Sequence, residues 1–322
     1  MAKDEPGWLN RVFGFGRDKQ PADQAAAPAL NNDSGLASGH PPLAGDWETG
    51  QVLLDDFLVE RLLGVGGMGK VYLLKSRTTG MRFAVKRAKG LSEKDRRSFL
   101  AELQTWIDLP EHPNLVPCRF FRSVGDEVLI FAEYVEGGSL KDWIDSRKLY
   151  AGGEPKALER ILDTAIQFAW GLRCVHALGL VHQDVKPDNV MMAEDAHVAV
   201  QGLRARVTDY GLARARAAGG DRYAPELGRS ILVSSGAYTK AYCSPEQEAG
   251  RKLDQGTDVW SWGVSVLEMF QGEVTWHSGI AAAGALEAFL EHNGEEEDIP
   301  AMPVKVAELL TGCFRENPAQ RW

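Results

Sequence analysis

The feature that most constrains this chain is a change in the spacing of its apolar residues at Glu136-Gly137-Gly138. Before that break they come in short runs at strand spacing, over residues 57–63, 70–75, 82–87, 118–123 and 128–134, mostly divided by Gly-containing turns. One helix interrupts them. Ser92-Glu93-Lys94-Asp95 has the form of a capping box, and Phe99, Leu100, Leu103, Trp106 and Ile107 fall on one helical face running to about residue 108. After the break the spacing becomes helical: Ser139-Leu140-Lys141-Asp142 reads as a capped start, and residues 161–178 as a long amphipathic helix. The order predicts an α+β chain, an antiparallel sheet with one helix followed by a mostly helical half. With 322 residues, 44% of them hydrophobic, both halves can bury a core.

Residues 21–45 are rich in Ala, Pro, Gly, Ser and Asn and contain no aromatic side chain, which predicts a disordered linker. Ahead of it, Trp8, Leu9, Val12, Phe13 and Phe15 would partly share a helical face, while Gly14 and Gly16 weaken that helix. Two readings stay open there, a loosely ordered tail and a docking element. The formal charge of -9 argues against a general nucleic-acid binder. Cys118, Cys174, Cys243 and Cys313 lie far apart, without the spacing of a disulfide framework or a zinc knuckle, and read as thiols of a reducing compartment. No apolar run approaches the roughly 20 residues of a membrane span, and the N-terminus has no secretory signal, so a cytoplasmic location is expected.

The chemistry-bearing residues concentrate in Val181-His182-Gln183-Asp184-Val185-Lys186-Pro187-Asp188-Asn189-Val190 and Thr208-Asp209-Tyr210-Gly211. A carboxylate (Asp184), a cation two residues on (Lys186) and two hard oxygen ligands (Asn189, Asp209) are what phosphate and Mg2+ call for. Upstream, Gly64-Val65-Gly66-Gly67-Met68-Gly69-Lys70-Val71 would let backbone amides approach phosphates. Alone, this loop also fits a dinucleotide fingerprint, a Walker A loop or a plain hairpin turn. The first expects a helix immediately after the loop, whereas Val71-Tyr72-Leu73-Leu74 is strand-like. The second needs a Ser or Thr hydroxyl where Val71 stands.

Together, His182-Gln183-Asp184, Lys186, Asn189 and Asp209-Tyr210-Gly211 resemble the catalytic loop and metal-binding triplet of the eukaryotic-type Ser/Thr protein kinase family, in its bacterial form. Gln183 stands where the family usually has Arg, and Tyr210 where it usually has Phe. Further matches follow in family order: the Gly-rich loop, Phe83-Ala84-Val85-Lys86, Glu102, His112-Pro113-Asn114-Leu115-Val116, Ala132-Glu133-Tyr134-Val135, the segment from Thr239 to Glu246, the helix opening at Asp258, and Asn317-Pro318-Ala319-Gln320-Arg321.

The resemblance implies a bilobal protein-kinase fold. Residues 1–50 would be disordered tail and linker, 51–135 a small lobe with hinge, and 136–322 a helical large lobe without the family's final helix. It implies ATP and Mg2+, or Mn2+ in its place, with Asn189 and Asp209 as metal ligands. Gly64, Gly66, Gly67 and Gly69 would hold phosphates, with Lys86 on the α- and β-phosphates and paired to Glu102. Val71, Ala84, Ser139, Met191 and the backbone of Glu133 and Val135 would form the nucleotide pocket, with Ala132 as gatekeeper. Asp184 would orient the substrate hydroxyl and accept its proton, assisted by Lys186, and Thr239 would contact both. Glu246 would pair with Arg321. His176 and His182 are expected to be structural. The implied partner is a protein with a Ser or Thr acceptor, and autophosphorylation is expected. An open apolar patch near Phe314 and Trp322 would suit an appended domain or partner. Two alternatives remain, a pseudokinase acting as a nucleotide-binding module and a small-molecule kinase.

Overall fold

In the computed structural model, which describes residues 45–66, 69–88, 93–195, 202–210, 231–232, 238–292 and 298–322, the alternating segments pair into one antiparallel sheet. Its strands are β1 (Val52–Leu53), β2 (Phe57–Gly66), β3 (Gly69–Ser76), β4 (Arg82–Ala88), β5 (Cys118–Val124) and β6 (Glu127–Glu133), in the order β1-β2-β3-β4-β6-β5. Between β4 and β5 the chain forms helix α1 (Glu93–Ile107), which lies against β5. Period two decides what each face does. Leu129 and Phe131 of β6 join Phe83, Val85 and Phe120 in a core on one face, where Phe120 stacks on Phe131 at 4.4 Å. Their neighbours Val128, Ile130 and Ala132 face α1 with Phe99, Leu103 and Trp106, in a core that continues into the helical half.

The large lobe is built from α2 (Leu140–Asp145), α3 (Glu154–Ala177), the hairpin β7 (Val190–Glu194) and β8 (Leu203–Val207), β9 (Ile231–Leu232) paired with β10 (Lys252–Leu253), and α4 (Pro245–Glu248), α5 (Gln255–Gln271), α6 (Ala282–His292) and α7 (Val304–Cys313). α5 is buried along most of its length, including Asp258, Glu268, Trp260 and Phe270. Among the described residues no helix is long and apolar enough to cross a membrane. All four cysteines are unpaired.

Three expectations are corrected. Helix α3 begins at Glu154 rather than residue 161, because Gly153 at φ +89° sets off a first turn that carries Pro155, a residue suited to that position. Residues 45–50, expected within the tail and linker, are described, and the Trp47 ring is buried against Tyr72 with centroids 4.7 Å apart; residues 1–44 lie outside the described residues. The open patch near Phe314 and Trp322 reduces to Trp322, which is 71% exposed; Phe314 is 7% exposed because it packs edge-on against Trp260 at 5.2 Å. The candidate docking residues Trp8 to Phe15, and Gly67, lie outside the described residues.

Candidate active site

The catalytic-loop residues are held from below by a buried carboxylate on α5. Asp258 accepts the amides of His182 and Gln183 at 2.7 and 2.8 Å and meets Nε2 of His176 at 2.7 Å. The His182 ring reaches the Thr208 carbonyl at 2.9 Å, tying the loop to the segment that carries Asp209. Both histidines are therefore structural. Gln183 is buried and adopts φ +69°, a left-handed conformation that a non-glycine residue keeps only when its surroundings fix it. Here Asp258 and the side-chain amide of Gln247, which donates to the Gln183 carbonyl at 2.7 Å, do the fixing.

Asp184 projects from this clamp into a closed set of donors. Its Oδ1 accepts the amide and hydroxyl of Thr239 at 3.1 and 2.9 Å, and its Oδ2 lies 3.0 Å from Lys186 Nζ. Lys186 also donates to the Thr239 hydroxyl at 2.5 Å. Burial alone would raise the Asp184 pKa, but the Lys186 charge and the hydrogen bonds from Lys186 and Thr239 outweigh it and hold the carboxyl below its ordinary value. Asp184 is thus an ionised acceptor at neutral pH.

Asn189 Nδ2 donates to the Asp184 carbonyl at 2.7 Å, which commits the nitrogen and leaves Oδ1 as the acceptor end of the amide. Asp209, at φ +64°, receives Lys86 Nζ at 2.8 Å across the cleft between the lobes. A neutral amide oxygen and a carboxylate form a hard donor set that suits Mg2+. Lys86 was expected opposite Glu102; Glu102 lies on α1, but its side chain is outside the described ones, and the partner the structure gives Lys86 is Asp209.

Two of the remaining nucleotide candidates, Val71 and Ala84, share with Lys86 one face of β3 and β4. Val71 pairs with Lys86, and Ala84 with Ala132, the expected gatekeeper. Gly64 and Gly66 pair with Val71 and Gly69. Gly69, at φ +128°, admits no side chain, since a methyl group there would collide with the carbonyl oxygen of Arg87. At the hinge, Glu133 donates its amide to Pro117 at 3.1 Å, while its carboxylate sits between Arg119 at 2.5 Å and Arg206 at 2.6 Å. Val135 is buried. Ser139 caps α2 in a capping box with Asp142, as the sequence pattern suggests, and it also bridges to Met191 on β7.

Around the site, the end of the activation segment is pinned from several sides. Glu246 pairs with Arg321 through two bonds, at 2.5 and 2.9 Å, and accepts the Thr257 hydroxyl. Ser244 caps α4 and bonds Thr257 at 2.7 Å. Tyr242 donates to Glu268 at 2.7 Å, and Lys141 reaches the other oxygen of Glu268 at 3.0 Å. Tyr210, at an expected Phe position, donates its hydroxyl to the Val207 carbonyl at 2.5 Å and meets the Trp106 and His182 rings edge-on.

A small antiparallel lobe and a helical lobe, with a lysine from one meeting a carboxylate of the other beside an ionised aspartate, define the protein kinase class of fold. The chain belongs to the protein kinase domain family, whose model matches residues 57–322. It is 33% identical over 231 residues to serine/threonine-protein kinase pkn2 of Myxococcus xanthus, covering 69% of this chain and 25% of that one. It is 30% identical over 281 residues to serine/threonine-protein kinases drp72 of Corynebacterium efficiens, covering 83% and 48%. The chain thus spans a quarter to a half of these two relatives. Among solved structures, the kinase domain of Mycobacterium tuberculosis PknI superimposes with a TM-score of 0.59 at 20% identity, covering 86% of this chain and 94% of that one, a likeness of fold.

Proposed function

We propose that the chain is an ATP- and Mg2+-dependent protein kinase that phosphorylates Ser or Thr hydroxyls, its own included. The observation that carries this is the Asp184, Lys186 and Thr239 constellation, in which the activation segment and the catalytic loop meet at one ionised carboxylate. Asp184 orients the acceptor hydroxyl and takes its proton; positioning dominates this chemistry, so no raised pKa is required. Lys186, 3.0 Å from Asp184, adds positive charge where the transferring group is negative. Lys86 holds phosphate oxygens, and Asn189 and Asp209 would hold Mg2+, or Mn2+, which neutralises charge on the phosphates when bound. Gly64, Gly66, Gly67 and Gly69 surround the phosphates; Val71, Ala84, Ser139, Met191 and the Glu133 and Val135 backbone surround the base and sugar; Glu102 supports Lys86. The segment from Thr239 to Glu246 favours a protein acceptor over a small molecule, and the unpaired thiols support a cytoplasmic location.

The test is transfer from labelled ATP to a generic protein and to a panel of metabolites, followed by hydrolysis to phosphoamino acids. Label in phosphoserine or phosphothreonine is expected. Label confined to phosphotyrosine or to a metabolite would overturn the acceptor assignment.

A further inference from the structure

The short stretch ahead of β1 makes contacts that phosphoryl transfer does not account for. Val71 and Lys86 pair across β3 and β4 and share the face that meets Asp209, so the alternation turns Lys70, Tyr72 and Arg87 to the opposite face. All three are gripped by Gly45, Asp46 and Trp47. Arg87 donates to the Gly45 carbonyl at 2.6 Å, Lys70 pairs with Asp46 at 2.5 Å, and the Trp47 ring packs on Tyr72 while its backbone amide donates to the Tyr72 hydroxyl at 3.4 Å.

Arg87 is the centre of this grip. It is 1% exposed, its guanidinium lies 4.5 Å over the Trp47 ring, and Glu127 takes it through two bonds at 2.9 and 2.8 Å. A buried guanidinium holds its geometry only with such a set of partners. The backbone of the same residue touches the cleft side twice over. Its carbonyl fills the space beside Gly69 at the end of the phosphate loop, and its chain neighbour is Lys86. The stretch therefore holds, from behind, residues adjoining Gly69, Val71 and Lys86.

We propose that residues 45–47 are a strap that sets the position of the phosphate loop and Lys86, with Trp47 as a positioning residue for the nucleotide. The proposal rests on the phosphoryl-transfer reading. Its mode of action is mechanical: without the Trp47 ring, Arg87 and Tyr72 lose a face of packing, and β3 and β4 gain freedom where the nucleotide needs them fixed.

Trp47→Ala, Trp47→Phe and Asp46→Asn in the full chain test it, by amide hydrogen exchange without nucleotide and by ATP kinetics. In Trp47→Ala, exchange over residues 69–76 and 82–88 is expected to quicken about tenfold with α5 unchanged, and KM for ATP to rise about fivefold with kcat within about twofold. Trp47→Phe restores most of both, and Asp46→Asn falls between. A lower melting temperature with exchange altered evenly, or with KM unchanged, would overturn the strap. Wild type without ATP turnover would strike the phosphoryl-transfer reading instead, and the exchange pattern would still decide the strap.

Discussion

Thr239 donates its amide and its hydroxyl to the same oxygen of Asp184, at 3.1 and 2.9 Å. Because that hydroxyl also accepts from Lys186, it holds the carboxylate and the cation at a fixed separation. Thr239→Val removes the hydroxyl at nearly constant shape. A hydrogen bond to a charged group contributes about 1.5–3 kcal/mol, so kcat should fall roughly 10- to 100-fold with KM for ATP little changed. Thr239→Ser should keep most of the activity. Steady-state kinetics with a generic protein acceptor decides, and a loss confined to KM would contradict the assignment.

Ala132 sits opposite Ala84 in the β4–β6 ladder, so only methyl groups stand at that point of the cleft wall. Adenine analogues carrying a bulky substituent should inhibit the wild type. Ala132→Phe should weaken that inhibition by about tenfold or more while retaining ATP turnover, since a filled pocket excludes the added group. Dose-response curves for the pair check this; wild-type insensitivity, or equal sensitivity of the two, would contradict it.

Glu246 gives a pH dependence of defined sign. Burial acts to raise its pKa, but the bonds and charge of Arg321 prevail, so the folded-state value lies below the ordinary 4.5. Below 4.5 the unfolded chain binds the proton more readily than the folded one. The contribution to stability is therefore complete above pH 4.5 and is lost as pH falls through the folded-state value. Glu246→Gln should unfold about 3 kcal/mol more easily at pH 7, because it leaves Arg321 buried without its counter-charge. Its stability should also fall less steeply on acidification, although Asp184 and Glu133, lowered likewise, keep part of the slope. Urea unfolding at a series of pH values measures both.

Gln183 stands where the family resemblance leads one to expect Arg, and a neutral amide cannot neutralise a phosphate as a guanidinium does. Phosphatase treatment should therefore leave kcat within about twofold. A large loss, rescued by Glu at a Ser within residues 230–238, would contradict it.

Strand β6 was legible because a strand covered on one face by α1 and on the other by an aromatic core leaves a short unbroken apolar run: Val128, Ile130 and Ala132 toward α1, with Leu129 and Phe131 between them. The catalytic loop was legible through the residue types of Asp184, Lys186, Asn189 and Asp209. What stayed hidden depends on partners distant in sequence. Trp47 lies just past the stretch whose composition says linker, and its packing partners Tyr72 and Arg87 are 25 and 40 residues along the chain. Asp258 reads as one more helix residue until the His182 and Gln183 amides arrive from 76 and 75 residues away. The signal available was an acid at a buried helical position, which requires donors. Tyr210 hides differently, since its hydroxyl finds a backbone carbonyl only three residues back, which no side-chain pattern reveals.

The most direct test compares wild type with Asp184→Ala and Asp209→Ala for nucleotide binding and for phosphoryl transfer from labelled ATP. The expected result is transfer by wild type, with Asp184→Ala binding nucleotide as wild type does yet transferring at least about 1000-fold more slowly, and Asp209→Ala inactive with weakened Mg2+-dependent binding. Nucleotide binding without transfer in wild type, unchanged in Asp184→Ala, would contradict the account and make the chain a binding module.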